Sequence, residues 1–306
     1  MKSVILFMTF LLFTNIYCGY NKLNEIKCAN GVCSVKKNSL ELKIDSNIGG
    51  RITSFSLDGY EFIVQKEEKL EAFGSTIWPS PQSLWNWPPI KIIDREKYSL
   101  IESDSVVEMK SQTDGLTGCS FTKIIRNSGN GNSINMEFVI KNETEKEISL
   151  SPWQITRAKK GGLLFFPKGE GEQGKKYFPL AETENVDNII WYKTNLGESL
   201  DNHRLNISDG SEGWVAYAID QKVFIKKYED NKPDKFAVGE GEVIFYTSRN
   251  QDYIEIEIQG KFEKLAYGNS IVWNVEWFAF EIPDNITIET GNKDLVNFVR
   301  EKISGR

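Results

Sequence analysis

Short segments in which apolar and polar residues alternate follow one another along most of this chain. The alternation starts at Leu40, Leu42 and Ile44 and recurs as far as residue 280. A period of two places successive side chains on opposite faces of a strand, so each segment predicts a β-strand. Turn-forming pairs such as Asp58-Gly59 separate the segments. Further strand-like segments span residues 105–109, 120–125, 134–140, 163–166, 213–219, 223–228, 242–247 and 270–280.

Helical spacing of apolar residues occurs only near the carboxyl end of the chain. There, Leu295, Val296, Val299 and Ile303 would share one face of a helix. No proline- or serine-rich linker divides residues 38–306, so we expect a single domain over this range. Many strands and one short C-terminal helix predict an all-β fold, built as a large antiparallel sandwich or barrel.

The composition is that of a folded globular protein and excludes several functional classes. Hydrophobic residues make up 40% of the chain and charged residues 26%, which excludes a disordered or collagen-like chain. The net charge of -6 argues against nucleic-acid binding, because that affinity comes mostly from neutralising phosphates with basic residues. A single histidine and four cysteines leave too few residues for a multi-ligand zinc site or a histidine-based triad. We expect neither a metal nor a cofactor.

Residues 1–18 have the pattern of a secretory signal peptide. Lys2 precedes an apolar run over residues 4–16, which is too short for a comfortable membrane span. We therefore predict export, as a secreted or periplasmic protein, with cleavage near Cys18 and no integral membrane span in the mature chain. Lipid anchoring at Cys18 is the second interpretation, because the bulky Tyr17 is a poor match for the small residue that usually precedes a lipidated cysteine.

Residues 19–37 are interpreted as an N-terminal extension built around a cysteine pair. Cys28 and Cys33 flank the turn signal Asn30-Gly31, which predicts a hairpin closed by a disulfide in an oxidising compartment. Because this disulfide closes a short loop, we expect it to stabilise the fold only modestly. Cys119 is left over and is predicted to pack as a small apolar residue.

The segment Gly74–Pro89, with the sequence GSTIWPSPQSLWNWPP, concentrates tryptophan and proline. Its last twelve residues hold three of the eight tryptophans, Trp78, Trp85 and Trp87, and four of the nine prolines. Proline fixes φ and removes a hydrogen-bond donor, so we expect a rigid irregular loop and not a strand. Flat indole faces suit stacking against sugar rings, whereas packing in the core is the alternative. We favour core packing for any single tryptophan and ligand binding for the loop as a whole.

The segment Tyr253–Gln259 alternates isoleucine with polar residues. Strict alternation would place Glu255, Glu257 and Gln259 on the face opposite the isoleucines. A glutamate that is partly buried there would gain proton affinity and become a usable general base. On the pattern alone, an ordinary solvated strand face is favoured.

Two further polar segments carry candidate residues. In Ser151–Gly162, Arg157 could donate two hydrogen bonds to a carboxylate or to vicinal hydroxyls, and Lys159-Lys160 suggest a basic turn. A solvated cationic loop accounts for this segment equally well. His203 lies in a polar stretch and is interpreted as a surface loop residue.

Taken in order, residues 40–290 resemble the galactose mutarotase-like (aldose 1-epimerase-like) β-supersandwich, and more closely a branch of it marked by a GSTxWPSPQ loop. The segment Gly74–Trp87 falls where mutarotases carry a sugar-contacting loop. Trp153–Arg157 falls where they carry a histidine that protonates the ring oxygen, and Glu257-Ile258-Gln259 resembles the strand that carries their general base. The chain has no histidine at the matching places.

The resemblance implies a carbohydrate ligand, and the leading hypothesis is an exported carbohydrate-binding protein. One alternative is an aldose 1-epimerase-like enzyme with Glu257 as general base and Arg157 in an electrostatic role. The other is an accessory domain that binds no ligand. The expected binding residues are Trp78, Gln82, Trp85, Trp87, Trp153, Arg157, Glu255, Glu257 and Gln259. The first two hypotheses require that Glu257, Arg157 and the tryptophans meet in one hollow.

Overall fold

The computed structural model describes residues 24–67, 72–126, 132–171, 179–195, 203–247 and 252–304. These residues form mostly antiparallel strands, which confirms the predicted all-β fold. The segment interpreted as a signal peptide, including Cys18, lies outside the described residues.

The strands are short and follow one another along the whole described chain. In chain order they are β1 (Asn24–Ala29), β2 (Val32–Lys37), β3 (Leu40–Asp45), β4 (Arg51–Leu57), β5 (Tyr60–Glu61), β6 (Ser75–Ser80), β7 (Ser99–Glu102), β8 (Val106–Lys110), β9 (Cys119–Arg126), β10 (Ser133–Asn142), β11 (Ile148–Lys159), β12 (Leu163–Pro167), β13 (Glu184–Val186), β14 (Ile189–Lys193), β15 (Arg204–Ser208), β16 (Trp214–Ile219), β17 (Lys222–Tyr228), β18 (Val243–Thr247), β19 (Tyr253–Gln259), β20 (Glu263–Leu265) and β21 (Ser270–Glu281).

Two α-helices accompany the strands in the described part of the chain. Helix α1 (Lys91–Asp94) is a single turn that the sequence analysis did not predict, and α2 (Lys293–Ile303) is the predicted C-terminal helix. Short 3-10 turns span Ser46–Ile48, Gln82–Leu84 and Pro233–Lys235. None of the described helices has the length and apolar character needed to cross a membrane.

The described strands form two sheets. Sheet 1 has the order β1-β2-β3-β4-β6-β11-β19-β18-β15, with β5 paired to β4 and β20 paired to β11. Sheet 2 has the order β13-β14-β12-β16-β17-β21-β10-β9-β8-β7. At the centre of sheet 1, β11 lies between β6 and β19 and is antiparallel to both.

The main core lies between the two sheets and is filled by the apolar faces that the alternation predicts. From sheet 1, Ile254, Ile256 and Ile258 point into this core. From sheet 2, Phe224 and Trp277 pack against it, with ring centroids 4.9 Å apart. The faces of Tyr253–Gln259 are therefore divided as predicted, with the isoleucines inside.

A second core covers the opposite face of sheet 2. The four apolar residues predicted to share one face of α2 are buried there against Trp191 and Trp214. The helix begins after Asn292, whose side chain accepts hydrogen bonds from the backbone N–H groups of Asp294 and Leu295. Helix α2 thus packs on the outer face of sheet 2 and does not contribute to the outer face of sheet 1.

The cysteine pair lies in the first hairpin of sheet 1. Cys28 and Cys33 are opposite each other in β1 and β2, and their sulfurs are joined. Strand β2 continues into the sheet by pairing with β3, so the segment interpreted as an extension adds two strands to sheet 1. Cys119 is a free, buried thiol.

The prediction of an irregular loop from residue 74 onward is wrong for Ser75–Ser80, which form β6. Pro79 lies opposite Pro152 of β11, so the two residues without an N–H face each other. Neither strand loses a hydrogen bond to the other at this pair, because opposite residues in an antiparallel ladder alternate between bonded and non-bonded pairs. The irregular backbone begins only after Ser80.

Candidate functional site

The predicted site residues meet on the outer face of sheet 1, where β6, β11 and β19 lie side by side. Trp153 of β11 is opposite Trp78 on one side and Gln259 on the other. Arg157 is opposite Glu255 in the same ladder. Residues far apart in sequence thus occupy adjacent rows of one surface, because the strand register places them there.

Four tryptophans form one cluster on this face. The ring of Trp78 lies at its centre, with centroid distances of 5.5 Å to Trp153, 5.6 Å to Trp85 and 6.2 Å to Trp87. Trp78, Trp85 and Trp153 are buried, whereas Trp87 is 69% exposed. Core packing therefore describes three of the indoles, and Trp87 presents its ring to solvent.

Glu257 lies beneath this cluster. Its Oε2 accepts a hydrogen bond of 2.7 Å from Nε1 of Trp153, and the residue is 3% exposed. Burial raises the pKa of Glu257, the charge of Glu255 raises it further, and the Trp153 hydrogen bond opposes both effects. The solvated strand face favoured by the sequence pattern is wrong for Glu257, because Trp153 of the neighbouring strand β11 contacts it and the side chain is buried.

Arg157 is also buried. Its Nε donates to Oε1 of Glu255 over 2.8 Å, and its guanidinium lies 5.6 Å from the ring centroid of Trp78. Its Nη1 is buried without a hydrogen-bond partner in the described part of the chain. The alternative of a solvated cationic loop is wrong here, since β11 carries Arg157 into the middle of sheet 1.

Two residues that the sequence analysis did not single out complete the charged part of the site. Asp94 Oδ1 accepts a hydrogen bond from Nε1 of Trp78 (2.9 Å) and forms an ion pair with Nη2 of Arg51 (2.8 Å). Burial alone would raise the pKa of Asp94, but the Arg51 charge and the Trp78 hydrogen bond outweigh it and hold the pKa below its usual value. Arg51 follows the turn-forming pair Gly49-Gly50, which could have drawn attention to it as a site residue. No comparable pattern in the sequence marks Asp94.

A lysine from the other sheet reaches the underside of the site. Lys226 of β17 is fully buried, and its Nζ donates a 2.7 Å hydrogen bond to the carbonyl of Ile256. Burial lowers the pKa of Lys226 well below its ordinary value, and the nearby Glu257 charge raises it in part. Glu257, with a raised pKa, and Lys226, with a lowered pKa, therefore lie on opposite faces of β19.

The glutamines occupy the rim of the cluster. Gln259 is buried, its Oε1 accepts from Ser80 Oγ over 2.8 Å, and its Nε2 donates to Glu240 Oε2 over 3.1 Å. Gln82 is half-buried and begins the 3-10 turn that leads to Trp85. Of these two predicted ligands, Gln259 has both of its polar atoms engaged within the protein.

His203 has closer contacts than its interpretation as a surface loop residue suggests. It immediately precedes β15, its ring stacks on Tyr246 with centroids 5.5 Å apart, and its Nδ1 is hydrogen-bonded to the Tyr246 hydroxyl. Tyr246 is opposite Glu255 in sheet 1. The half-buried pair extends the polar row of Arg157 and Glu255 towards the β15 edge.

The described residues include one close group of three potential metal ligands drawn from histidine, cysteine, aspartate and glutamate. It consists of Cys28, Cys33 and Glu102, and the disulfide occupies both sulfurs. The group lies at the first hairpin and contributes nothing to the tryptophan site.

Comparison with known proteins identifies the fold. A scan against protein-family models finds no match, and neither does a search of curated proteins. Among solved structures, a putative aldose 1-epimerase from Escherichia coli K12 has a TM-score of 0.55 and 11% identity, covering 80% of this chain and 97% of that one. A galactose mutarotase-like protein from Lactobacillus casei has a TM-score of 0.56 and 11% identity, covering 82% and 100%.

A galactose mutarotase related enzyme from Lactobacillus acidophilus gives the same result, with a TM-score of 0.55, 11% identity and coverage of 83% and 99%. At this identity the similarity concerns the fold and not the activity. The chain has the galactose mutarotase-like β-supersandwich fold.

Proposed function

We propose that this chain binds a carbohydrate on the outer face of sheet 1, with the indole of Trp87 as the stacking surface. The observation that carries the proposal is that Trp87 is 69% exposed while it packs against a buried tryptophan cluster. A large apolar ring held in place by buried neighbours, but left open to water, is typical of a binding surface. The sugar-related names of the solved structures with this fold support the same ligand class.

Polar groups around the cluster would supply the hydrogen bonds that sugar hydroxyls require. Gln82 is half-buried in the same segment as Trp87, and Glu255 retains 14% side-chain exposure beside Arg157. Arg157 Nη1 has no partner in the described part of the chain and is a donor that a ligand would satisfy. Ligand access to Arg157 requires a rearrangement of the indoles above it.

The alternative of a sugar epimerase rests on Glu257, whose raised pKa is a feature of catalytic acids and bases. A general base has to come within hydrogen-bond reach of the proton that it removes. Glu257 is 3% exposed, and its Oε2 accepts a hydrogen bond from Trp153. Its raised pKa favours the protonated carboxyl, which cannot accept a proton as a general base. Binding without catalysis therefore explains more of the geometry.

We also propose that the chain is exported to the medium or the periplasm, with anchoring through Cys18 as the alternative. The signal-like residues 1–18 and the Cys28–Cys33 disulfide both support an oxidising compartment. Fractionation of expressing cells, followed by mass spectrometry of the mature amino terminus, would test this and distinguish cleavage from lipidation.

Ligand binding is tested by a glycan array and by titration of intrinsic tryptophan fluorescence. We expect a hit that Trp87→Ala weakens by about tenfold or more, corresponding to a loss of about 1.4 kcal/mol. Tyr267→Ala removes a similarly exposed aromatic ring, 64% exposed, from the turn between β20 and β21, and should leave affinity unchanged. Silence in both assays, or equal losses in the two variants, would contradict the proposal and favour the accessory-domain hypothesis.

Catalysis is tested separately by polarimetry on glucose and galactose anomers. If the chain is a binding protein, the wild type and Glu257→Gln will both show the uncatalysed rate. A wild-type rate above background that Glu257→Gln abolishes would instead establish the epimerase alternative.

A further inference from the structure

A second apolar cluster lies on the outer face of sheet 1, beside the tryptophan cluster. It is formed by the buried residues Val64, Phe73 and Tyr253. Tyr253, Glu255 and Glu257 follow one another on the same face of β19, and Glu257 lies beneath the tryptophan cluster. The charged pair of Glu255 and Arg157 therefore lies between the tryptophan cluster and this second cluster.

Arg51, the first residue of β4, contacts the second cluster. Its Nη1 donates a 3.0 Å hydrogen bond to the backbone carbonyl of Phe73, and its guanidinium carbon lies 4.9 Å from the centroid of the Phe73 ring. The carbonyl of the next residue, Gly74, accepts from the N–H of Arg157. Arg51 thus holds the chain at the point where it meets Arg157.

Asp94, the last residue of α1, contacts the tryptophan cluster at its centre. Its Oδ1 accepts the hydrogen bond of Trp78 Nε1 over 2.9 Å. The ring of Trp78 meets the other three indoles edge-on, with interplanar angles of 69°, 78° and 84°. Because edge-to-face contacts depend on the orientation of each ring, a bond that fixes the direction of Nε1 also fixes the contact with Trp87.

Arg51 and Asp94 are joined to each other twice. Nη2 of Arg51 lies 2.8 Å from Asp94 Oδ1 and donates to the Asp94 carbonyl over 3.1 Å, and both side chains are at most 5% exposed. A buried ion pair adds little net stability, because the cost of removing both charges from water offsets their attraction. The contacts of this pair instead connect the two apolar clusters on either side of Arg157.

We propose that Arg51 and Asp94 are positioning residues of the carbohydrate site, which hold Trp78, and through it Trp87, in a fixed orientation relative to Arg157. Neither residue is assigned a contact with the sugar. Side chains that touch a ligand have to be locked by packing and hydrogen bonds from the residues around them. This role rests on the proposed carbohydrate binding, so the experiment also includes a measurement that needs no ligand.

A matching set of side chains outside the site provides the control. Glu212 Oε2 accepts a 3.0 Å hydrogen bond from Nε1 of Trp214, and the Glu212 carboxylate forms an ion pair with Arg300 of α2. This is also an indole, a carboxylate and an arginine in contact, but Trp214 belongs to the second core on the outer side of sheet 2. A change at Glu212 therefore removes the same kind of contacts without touching the carbohydrate site.

The first measurement is fluorescence titration with the glycan that gives the strongest signal on the array. Asp94→Ala leaves Trp78 without its acceptor, and we expect the affinity to fall by about tenfold. Asp94→Asn keeps an acceptor oxygen but loses the charge, so its affinity should fall by only about threefold. Glu212→Ala should bind like the wild type. If Asp94→Ala fails to fold, the comparison of Asp94→Asn with Glu212→Gln replaces it.

The second measurement is near-UV circular dichroism, which reports fixed packing of aromatic side chains. Asp94→Ala should lose part of the indole signal, and Asp94→Asn should retain more of it. The proposal is overturned if either the affinity or the indole signal of the folded Asp94 variants equals that of the wild type, or if Glu212→Ala weakens binding as much as Asp94→Ala. If the wild type binds no glycan, the carbohydrate proposal fails, and the indole signal alone decides whether Asp94 positions the cluster.

Discussion

Glu257 shows how one residue can be placed correctly by sequence and yet have an environment that sequence does not reveal. Its position on the polar face of β19 follows from alternation, which is a local property of the strand. Its carboxyl is buried and contacts Trp153, which lies in β11, 104 positions earlier in the chain. The protonation state of the Glu257 carboxyl depends on this burial.

Glu257→Gln should therefore change how stability depends on pH. The unfolded chain releases the Glu257 proton near the ordinary carboxyl pKa of 4.5, whereas the folded chain retains it to higher pH. Between these two pKa values the folded state binds more protons, so the free energy of unfolding of the wild type falls as pH rises. The variant lacks this group, and its stability should fall less over the same window.

Urea denaturation between pH 5 and 9 measures this difference. Glu263→Gln, which alters an exposed acid in β20, is the matched control and should follow the wild-type curve. Parallel curves for the wild type and Glu257→Gln would show that the folded-state pKa of Glu257 is ordinary.

Strand β6 is the element that the sequence misjudged, and the reason is physical. The density of proline near Trp78 argues against a strand when each residue is considered alone. In the sheet, Pro79 faces Pro152, and β4 is paired with β6 at Ser75. Alternation thus located strands such as β3, β10 and β19, but the partner of β6 lies more than seventy positions away in β11.

The same limit applies to the site as a whole. The resemblance to a known fold grouped Trp78, Arg157 and Glu257 in one expected hollow, whereas alternation placed only Glu257 of the three on a strand face. The sequence could not show which of these side chains contact one another, since the hydrogen bonds and ring contacts join separate elements. Asp94 was missed for this reason, because its role depends on contacts with Arg51 and Trp78, which lie in other elements.

Gly74→Ala should disrupt the junction where β6 begins. Gly74 has φ +62°, and an added Cβ would lie 2.2 Å from the carbonyl oxygen of Ile52. Its own carbonyl accepts from the N–H of Arg157, so a shift of the backbone would also disturb the site. We expect a loss of roughly 3 kcal/mol or more in the free energy of unfolding, from strain and backbone overlap combined.

Gly59→Ala is a closely matched control for this prediction. Gly59 has φ +82°, but an added Cβ would meet nothing within 4 Å. Its cost should be limited to the unfavourable backbone conformation, about 1 kcal/mol. Equal losses for the two variants in urea denaturation would mean that the contact with Ile52 has no energetic consequence.

At the scale of the whole molecule, the two sheets have outer faces with different cover. Helix α2 closes the outer face of sheet 2 with apolar residues such as Leu295, which is fully buried. The outer face of sheet 1 is covered by the tryptophan cluster, from which Trp87 emerges into solvent. Cover by a helix is expected to serve stability, whereas cover that leaves an exposed indole is expected to serve binding.

This division predicts opposite effects for two variants. Leu295→Ala removes a buried side chain from the second core and should lower the free energy of unfolding by about 2–5 kcal/mol. It should leave the affinity for a carbohydrate unchanged, because α2 packs on the far side of sheet 2. Trp87→Ala should do the reverse, with little loss of stability and a clear loss of affinity, as measured by urea denaturation and fluorescence titration on the same preparations. If Leu295→Ala weakened binding as much as Trp87→Ala at temperatures where it remains folded, the two outer faces would be coupled and their proposed division of roles would be wrong.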